Sequence, residues 1–284
     1  MEPGVPDRPV GGREGEGVIK HQIKGTASQM ILCQVDQGQT VYAEAGKFLW
    51  KTANVGIETR LTTPETEQKT KDQGLFGKAL GAAVDVGKRM LAGESAAFQY
   101  FTPNGGSGLV SFAGVLPGEV RAIELDGSRG WTADKDAFVA AESTVRFDIA
   151  FAGLTTGRKG GEGFVLERFT GSGTLFVAGA GNFIDLNPAQ YGGKVQVHRG
   201  CIVAFEDGVT YGVERIGRLD AQGLKTAVFG GEGFSLATLE GDGRVILQSV
   251  NAVAFGRSIL HAAGQASDQG TTSSIRGLLG GSIE

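Results

Sequence analysis

Residues 160–164 read GGEGF, and residues 230–234 read GGEGF again, 70 residues on. A carboxylate framed by glycines is the kind of group a general acid, a metal centre or a phosphate-binding loop would use. Each of those chemistries needs company. A metal centre needs clustered ligands, but the three histidines, His21, His198 and His261, are far apart, and no H-x-H, H-E-x-x-H or C-x-x-C occurs. A nucleotide site needs G-x-x-x-x-G-K-[ST], or G-x-G-x-x-G between a strand and a helix, and the chain has neither. The G-x-G units lead into strands, so no helix N-terminus follows to hold a phosphate. No G-x-S-x-G elbow is present, and neither Cys33 nor Cys201 stands beside a partner motif. Paired carboxylates remain open, because their partners can be distant in the chain. The expectation is a protein with no catalytic residue, no metal and no cofactor.

The glycine–glutamate motif therefore reads as backbone architecture. Both copies place a G-x-G nine residues beyond the glutamate, at Gly171/Gly173 and Gly241/Gly243, and then an apolar strand. A weaker third copy starts at Gly93-Glu94 and reaches Gly106/Gly108. The glutamates Glu94, Glu162 and Glu232 fall 68 and 70 residues apart. The segments YAEAGKFLW, VAAESTVRF and VHRGCIVAF each enter a strand after a small or turn residue. This spacing predicts three degenerate repeats of an all-β unit that cannot close its core alone, arranged cyclically as a pseudo-trimer. Gly93, Glu94, Gly161, Glu162, Gly163, Gly231, Glu232 and Gly233 are then a structural turn motif. Glycine supplies positive φ, bulges or close strand approach at such turns, and the glutamates accept backbone hydrogen bonds.

The elements that must carry these turns are short. Apolar runs broken by Asp36-Gln37-Gly38, Pro117-Gly118 and Asp126-Gly127 read as strands between tight turns, which predicts an all-β sandwich or barrel. One segment breaks the pattern. Over residues 74–92, Leu75, Phe76, Leu80, Met90 and Leu91 share one face at 3.6 residues per turn, and Lys78, Asp85, Lys88 and Arg89 fall on the other. This predicts an amphipathic helix inserted in the first repeat, on a polar tether. Its apolar face is a candidate interaction surface, for a protein partner, for self-association or for a membrane surface.

Composition bounds the rest. The chain has 284 residues, enough to bury a core without disulfides. Its 48 glycines follow no Gly-X-Y period, which excludes collagen. A net charge of −4 with interspersed signs argues against broad attraction to nucleic acid. Cys33 and Cys201 each sit in an apolar run and read as buried free thiols. Residues 1–17 read as a disordered leader without a secretory signal, residues 18–260 as one three-repeat β domain, and residues 261–284 as a flexible tail. No stretch has the apolar length of a membrane span. The expected location is cytoplasmic, with peripheral membrane docking through the helix as the alternative.

The combination of an early Y-A-E-A-G before a strand, a glycine-rich amphipathic insertion ending in GES, a PGE-V-x-x-I-x-L strand pair and two GGEGF repeats resembles the altered inheritance of mitochondria 24 family. The resemblance covers about residues 20–255. It implies a fold like that of the tryptophan RNA-binding attenuation protein, with three β-sandwich units in one chain. It supplies no catalytic residues. The resulting expectation is a non-enzymatic β-scaffold for protein interaction or self-assembly, with a small-ligand or RNA-binding module as a further alternative.

Overall fold

The computed structural model describes residues 18–61, 97–151, 165–215, 235–252 and 254–262. The 74–92 segment with Leu75, Phe76, Leu80, Met90 and Leu91 lies outside the described residues. So do Gly93, Glu94, Gly161–Gly163 and Gly231–Gly233. What is described is all-β, eighteen strands with three 3-10 turns, followed by a helical segment at 254–262.

The strands follow one pairing scheme in three consecutive stretches. The first holds β2 (Met30–Val35), β3 (Val41–Glu44), β4 (Phe48–Lys51), β5 (Val55–Arg60), β6 (Phe98–Pro103) and β7 (Gly108–Ala113), with β1 (Lys20–Lys24) as a hairpin partner of β2. The second holds β8 (Val120–Asp126), β9 (Trp131–Asp134), β10 (Phe138–Glu142), β11 (Val145–Phe151) and β12 (Val165–Ala178). The third holds β13 (Phe183–Leu186), β14 (Lys194–Val197), β15 (Ile202–Glu206), β16 (Val209–Arg215), β17 (Ser235–Gly241) and β18 (Val245–Gln248).

In the first stretch β5 and β3 flank β6, while β2 and β4 flank β7, all antiparallel. In the third, β16 and β14 flank β17, while β13 and β15 flank β18. The second fuses the two central strands into the 14-residue β12, flanked by β11 and β9 along one half and by β8 and β10 along the other. β12 turns from one sheet into the next at Gly171 (φ +99°) and Gly173 (φ +133°), a backbone region open to glycine.

One strand in each stretch is bulged at the same point: between Phe48 and Trp50 in β4, Phe138 and Ala140 in β10, and Ile202 and Ala204 in β15. A bulge sharpens local twist and re-aims the side chains beyond it. Each bulge follows the same nine-residue entry: YAEAGKFLW, TADKDAFVA and QVHRGCIVA. The second of these replaces the VAAESTVRF expected from sequence, because VAAE is the bulged strand itself, Ser143-Thr144 the turn that leaves it and VRF the start of β11.

The stretches are joined edge to edge. β10 pairs with β3, placing Ala140 opposite Ala43, Ala141 opposite Tyr42 and Glu142 opposite Val41. β15 pairs with β9, placing Ala204 opposite Ala133, Phe205 opposite Thr132 and Glu206 opposite Trp131. The cyclic closure expected from sequence would pair β4 with β14. Among the described residues β4 pairs with β7 and β14 with β17.

Period-two alternation builds the core. In β2, Ile31, Cys33 and Val35 are buried while the residues between them are half-buried. β10, between sheets, is buried on both faces. At the centre Phe138 stacks on Phe169 at 5.1 Å, with Tyr42, Phe98 and Phe147 around it.

Candidate functional site

Three groups of residues stand out among the described residues, and each grows from the strand scheme. The first is a set of side chains that bond to backbone across the bulged strands. At the end of β10, Glu142 is buried, and its Oε1 accepts the Thr174 N–H at 2.9 Å, the Thr174 hydroxyl at 2.8 Å and the Ile19 N–H at 3.2 Å. At the end of β15, Glu206 accepts the Arg244 N–H at 2.9 Å and the Arg244 Nε–H at 3.0 Å. Just past β4, the Thr52 hydroxyl accepts the Leu109 N–H at 3.0 Å. Each accepting side chain reaches the residue after the second glycine of a G-x-G.

The glycine leaves room for that reach. A Cβ on Gly173 would lie 3.2 Å from the Glu142 Cβ and 2.7 Å from the Thr144 hydroxyl. On Gly243 it would lie 3.3 Å from the Glu206 Cβ, and on Gly108 3.2 Å from the Thr52 hydroxyl. Both carboxylates accept backbone donors of their own fold, which is structural chemistry.

The second group is a row of polar residues at the turns before the bulged strands. Glu44, Asp134 and His198 hold the same place in the three nine-residue entries. Asp134 accepts the Asp136 N–H at 3.0 Å, capping a 3-10 turn, and His198 Nδ1 accepts the Gly200 N–H at 3.1 Å. The Glu44 carbonyl accepts the Lys47 N–H at 3.3 Å. The buried Lys47 ammonium lies 3.7 Å from the Glu44 carboxylate and donates to the Asp136 carbonyl at 3.1 Å.

Burial pushes the Asp134 carboxyl up to about 7, a rise that Lys135, Arg199 and its hydrogen bond to Asp136 only partly offset. Glu44 is raised in the same direction by burial, against the pull of Lys47. Asp134 thus titrates near neutrality at the seam between stretches. Among the described residues no group of three or more His, Cys, Asp or Glu has the arrangement of a metal centre.

The third group is two of the open strand edges, those of β4 and β14. β4 exposes Leu49 at 48% and Trp50 at 42%. The residues in the same positions, Val139 and Ala140 of β10 and Val203 and Ala204 of β15, are at 0%. On β14, Val195 and Val197 are half-buried, where Val41 and Ala43 of β3 are at 0%. Cys33 is buried and its thiol is pushed up by desolvation, and Cys201 is raised more mildly for the same reason.

The candidate interaction residues of the 74–92 segment and the glycines and glutamates of the GGEGF-type motif lie outside the described residues, whereas the G-x-G glycines Gly108, Gly173 and Gly243 meet the accepting side chains of the first group. The groups that do appear had a sequence signal: VAAE and VAFE end in the two accepting glutamates, and FLWK breaks the small-residue pattern with Trp50.

These sheets and seams define an all-β protein of antiparallel strands joined edge to edge. The chain belongs to the mitochondrial biogenesis AIM24 family, whose model matches residues 21–250. It is 26% identical over 227 residues to an uncharacterized protein of Streptococcus pyogenes serotype M6, a match taking in 80% of this chain and 83% of that one. An X-ray crystal structure of a Streptococcus pyogenes protein matches with a TM-score of 0.64 at 21% identity, covering 86% of this chain and 99% of that one. That likeness is one of fold. Among the described residues no helix is long and apolar enough to cross a membrane.

Proposed function

We propose that the protein is a non-enzymatic β-scaffold that works through protein association, built as three related β-sandwich units of the attenuation-protein kind in one chain. The observation that carries the association reading is the exposure of Leu49 and Trp50 at β4 positions that are fully buried in β10 and β15. A tryptophan and a leucine on an open strand edge are costly to leave in water and are the residue types that anchor interfaces. The unit reading is supported by the recurrence of one bulge, one nine-residue entry and one side-chain-to-backbone bond in each stretch. The scaffold reading is supported by the acids at these recurrent places, which accept backbone donors within the fold.

The test is chemical cross-linking with mass spectrometry in native extract, comparing the full chain with the Leu49→Ser/Trp50→Ser variant. Cross-links from residues around β4 to another protein chain, lost in the variant while its urea midpoint is retained, are the expected result. Identical cross-link maps for both forms would remove β4 as the working surface. A membrane role would rest on residues 74–92, and flotation with anionic liposomes of a form lacking them addresses it separately.

A further inference from the structure

We propose that β4 and β14 are the two halves of a head-to-tail joint between copies of this chain, an inference that rests on the association reading above and names its partner. The argument starts from the two joints already made. In each, a bulged strand (β10 or β15) lies antiparallel along the strand that precedes the next turn in the preceding stretch (β3 or β9). β4 has the role of β10 and β15: it carries the same bulge after the same nine-residue entry, and it flanks β7 as they flank β12 and β18. β14 has the role of β3 and β9: it flanks β17 as they flank β6 and β12. Three bulged strands and three receiving strands make only two joints among the described residues. The two strands left over are one of each kind.

The register follows by position. Ala140 and Ala204 correspond to Trp50, and Ala43 and Ala133 correspond to Val197. Trp50 is therefore placed opposite Val197, Lys51 opposite Gln196 and Thr52 opposite Val195. The two joints within the chain use alanine against alanine at the first of these pairs, which lets sheets meet closely inside one body. The third sets tryptophan against valine, a pairing characteristic of an interface core rather than of the interior seams beside it. The surface on one copy differs from the surface it meets, so the contact is heterologous: it closes a ring if the rotation allows and otherwise grows a filament.

The full chain is measured by native mass spectrometry and by light scattering over a range of concentrations, alone and with two variants, Trp50→Glu and Val197→Glu. The wild type is expected to form rings or a ladder of oligomers. Each variant alone has one working end and is expected to be a monomer. An equimolar mixture of the two is expected to give a 1:1 dimer and nothing larger, because one copy supplies β4 and the other β14. In a chain carrying both Trp50→Cys and Val197→Cys, oxidation is expected to link different copies, a readout that survives if a charged variant fails to fold.

A wild type that stays monomeric overturns the proposal. So does a dimer that either charged variant still forms alone, or a disulfide that closes within one chain. If the purified chain is monomeric while the β4 cross-links to another protein persist in extract, this inference falls and the scaffold reading stands.

Discussion

The Glu142 carboxylate holds Thr174 at two points, accepting its backbone N–H at 2.9 Å and its hydroxyl at 2.8 Å through the same oxygen. The bond crosses from the end of β10 to the point where β12 leaves Gly173. It therefore ties the bulged strand to the bend that carries the chain from one sheet into the next. The Glu206 bond to Arg244 and the Thr52 bond to Leu109 do the same in the other two stretches.

Removing the Glu142 carboxylate leaves two buried N–H donors, of Ile19 and Thr174, without an acceptor, while the Thr174 hydroxyl keeps the Glu124 carboxylate at 3.2 Å. Glu142→Ala is expected to cost about 2–4 kcal/mol, given that each unsatisfied buried group costs about 1–3 kcal/mol. Glu142→Gln keeps an acceptor and is expected to cost about half as much. Thr52→Ala, which loses the bond from Leu109 and the hydroxyl's own bond to the Asn54 side chain, is expected to cost about 1–2 kcal/mol. Urea unfolding midpoints rank the three, and a Glu142→Ala midpoint equal to wild type would remove the bond from the account of the fold.

Much of this fold was legible in the sequence. Short apolar runs with glycine-bearing turns gave the all-β class, and the G-x-G recurrence marked the places where strands bend. The accepting side chains were less legible. The glutamates inside GGEGF stand out in the sequence because they are framed by glycine, whereas the acids that meet the G-x-G backbone end the strands VAAE and VAFE. The link between Glu142 and Thr174 spans 32 residues, and nothing local in the chain announces it. The equivalence of TADKDAFVA with YAEAGKFLW was hidden for another reason. What it preserves is a turn and a bulge, which many residue types can form, so Glu44, Asp134 and His198 share a place without sharing a chemistry. Edge pairing is a property of the assembled sheet, so no run of residues could show that β4 and β14 are left open.

Gly118 lies where two connections run side by side, bridged to Gly181. A Cβ there would stand 2.0 Å from the Gly179 carbonyl oxygen and 2.7 Å from the Gly181 nitrogen, both backbone atoms that cannot rotate away. Gly118→Ala is expected to destabilise by about 1–3 kcal/mol or more, the range of overpacked sites. Gly38 is the control: its φ is +90°, but a Cβ there meets nothing within 4 Å. Gly38→Ala should show only the backbone cost of about 1–2 kcal/mol. Thermal unfolding of the two variants separates crowding from conformation, and a milder effect at Gly118 than at Gly38 would contradict the close approach.

Phe138 is the hub of the aromatic cluster, within 5.1 Å of Phe169 and 5.7 Å of Tyr42 between ring centroids. It is also the first residue of a bulged strand that joins two stretches. Phe138→Ala is expected to cost about 3–5 kcal/mol, and Phe138→Leu, which keeps most of the volume, about 1–1.5 kcal/mol. Because the cavity would open under the seam, amide exchange in β3 and β10 should rise more than in β17 and β18. Uniform exchange across all four strands would place the hub elsewhere.

Asp134 gives a pH dependence whose sign is fixed by its environment. Its carboxyl is raised from an ordinary 3.8 to about 7 by burial. Between these values the folded chain holds a proton that the unfolded chain has released. Stability therefore falls as pH rises through this window, and the contribution is fully lost above the folded value. A shift of this size corresponds to about 4 kcal/mol at the limit, and solvent reaching the partly buried residue reduces the expected effect to about 1–3 kcal/mol. Glu44, raised by burial as well, adds a slope of the same sign. Asp134→Asn keeps an acceptor for the Asp136 N–H, since asparagine caps as well as aspartate, and it has no proton to release. The variant is expected to match wild type near pH 4, to lose most of the slope between there and pH 7, and to exceed wild type in stability above it. Chemical unfolding at a series of pH values reads all three. A wild type that gains stability as pH rises from 5 to 7, with the variant following it, would show that Asp134 ionises freely and that the seam holds no proton.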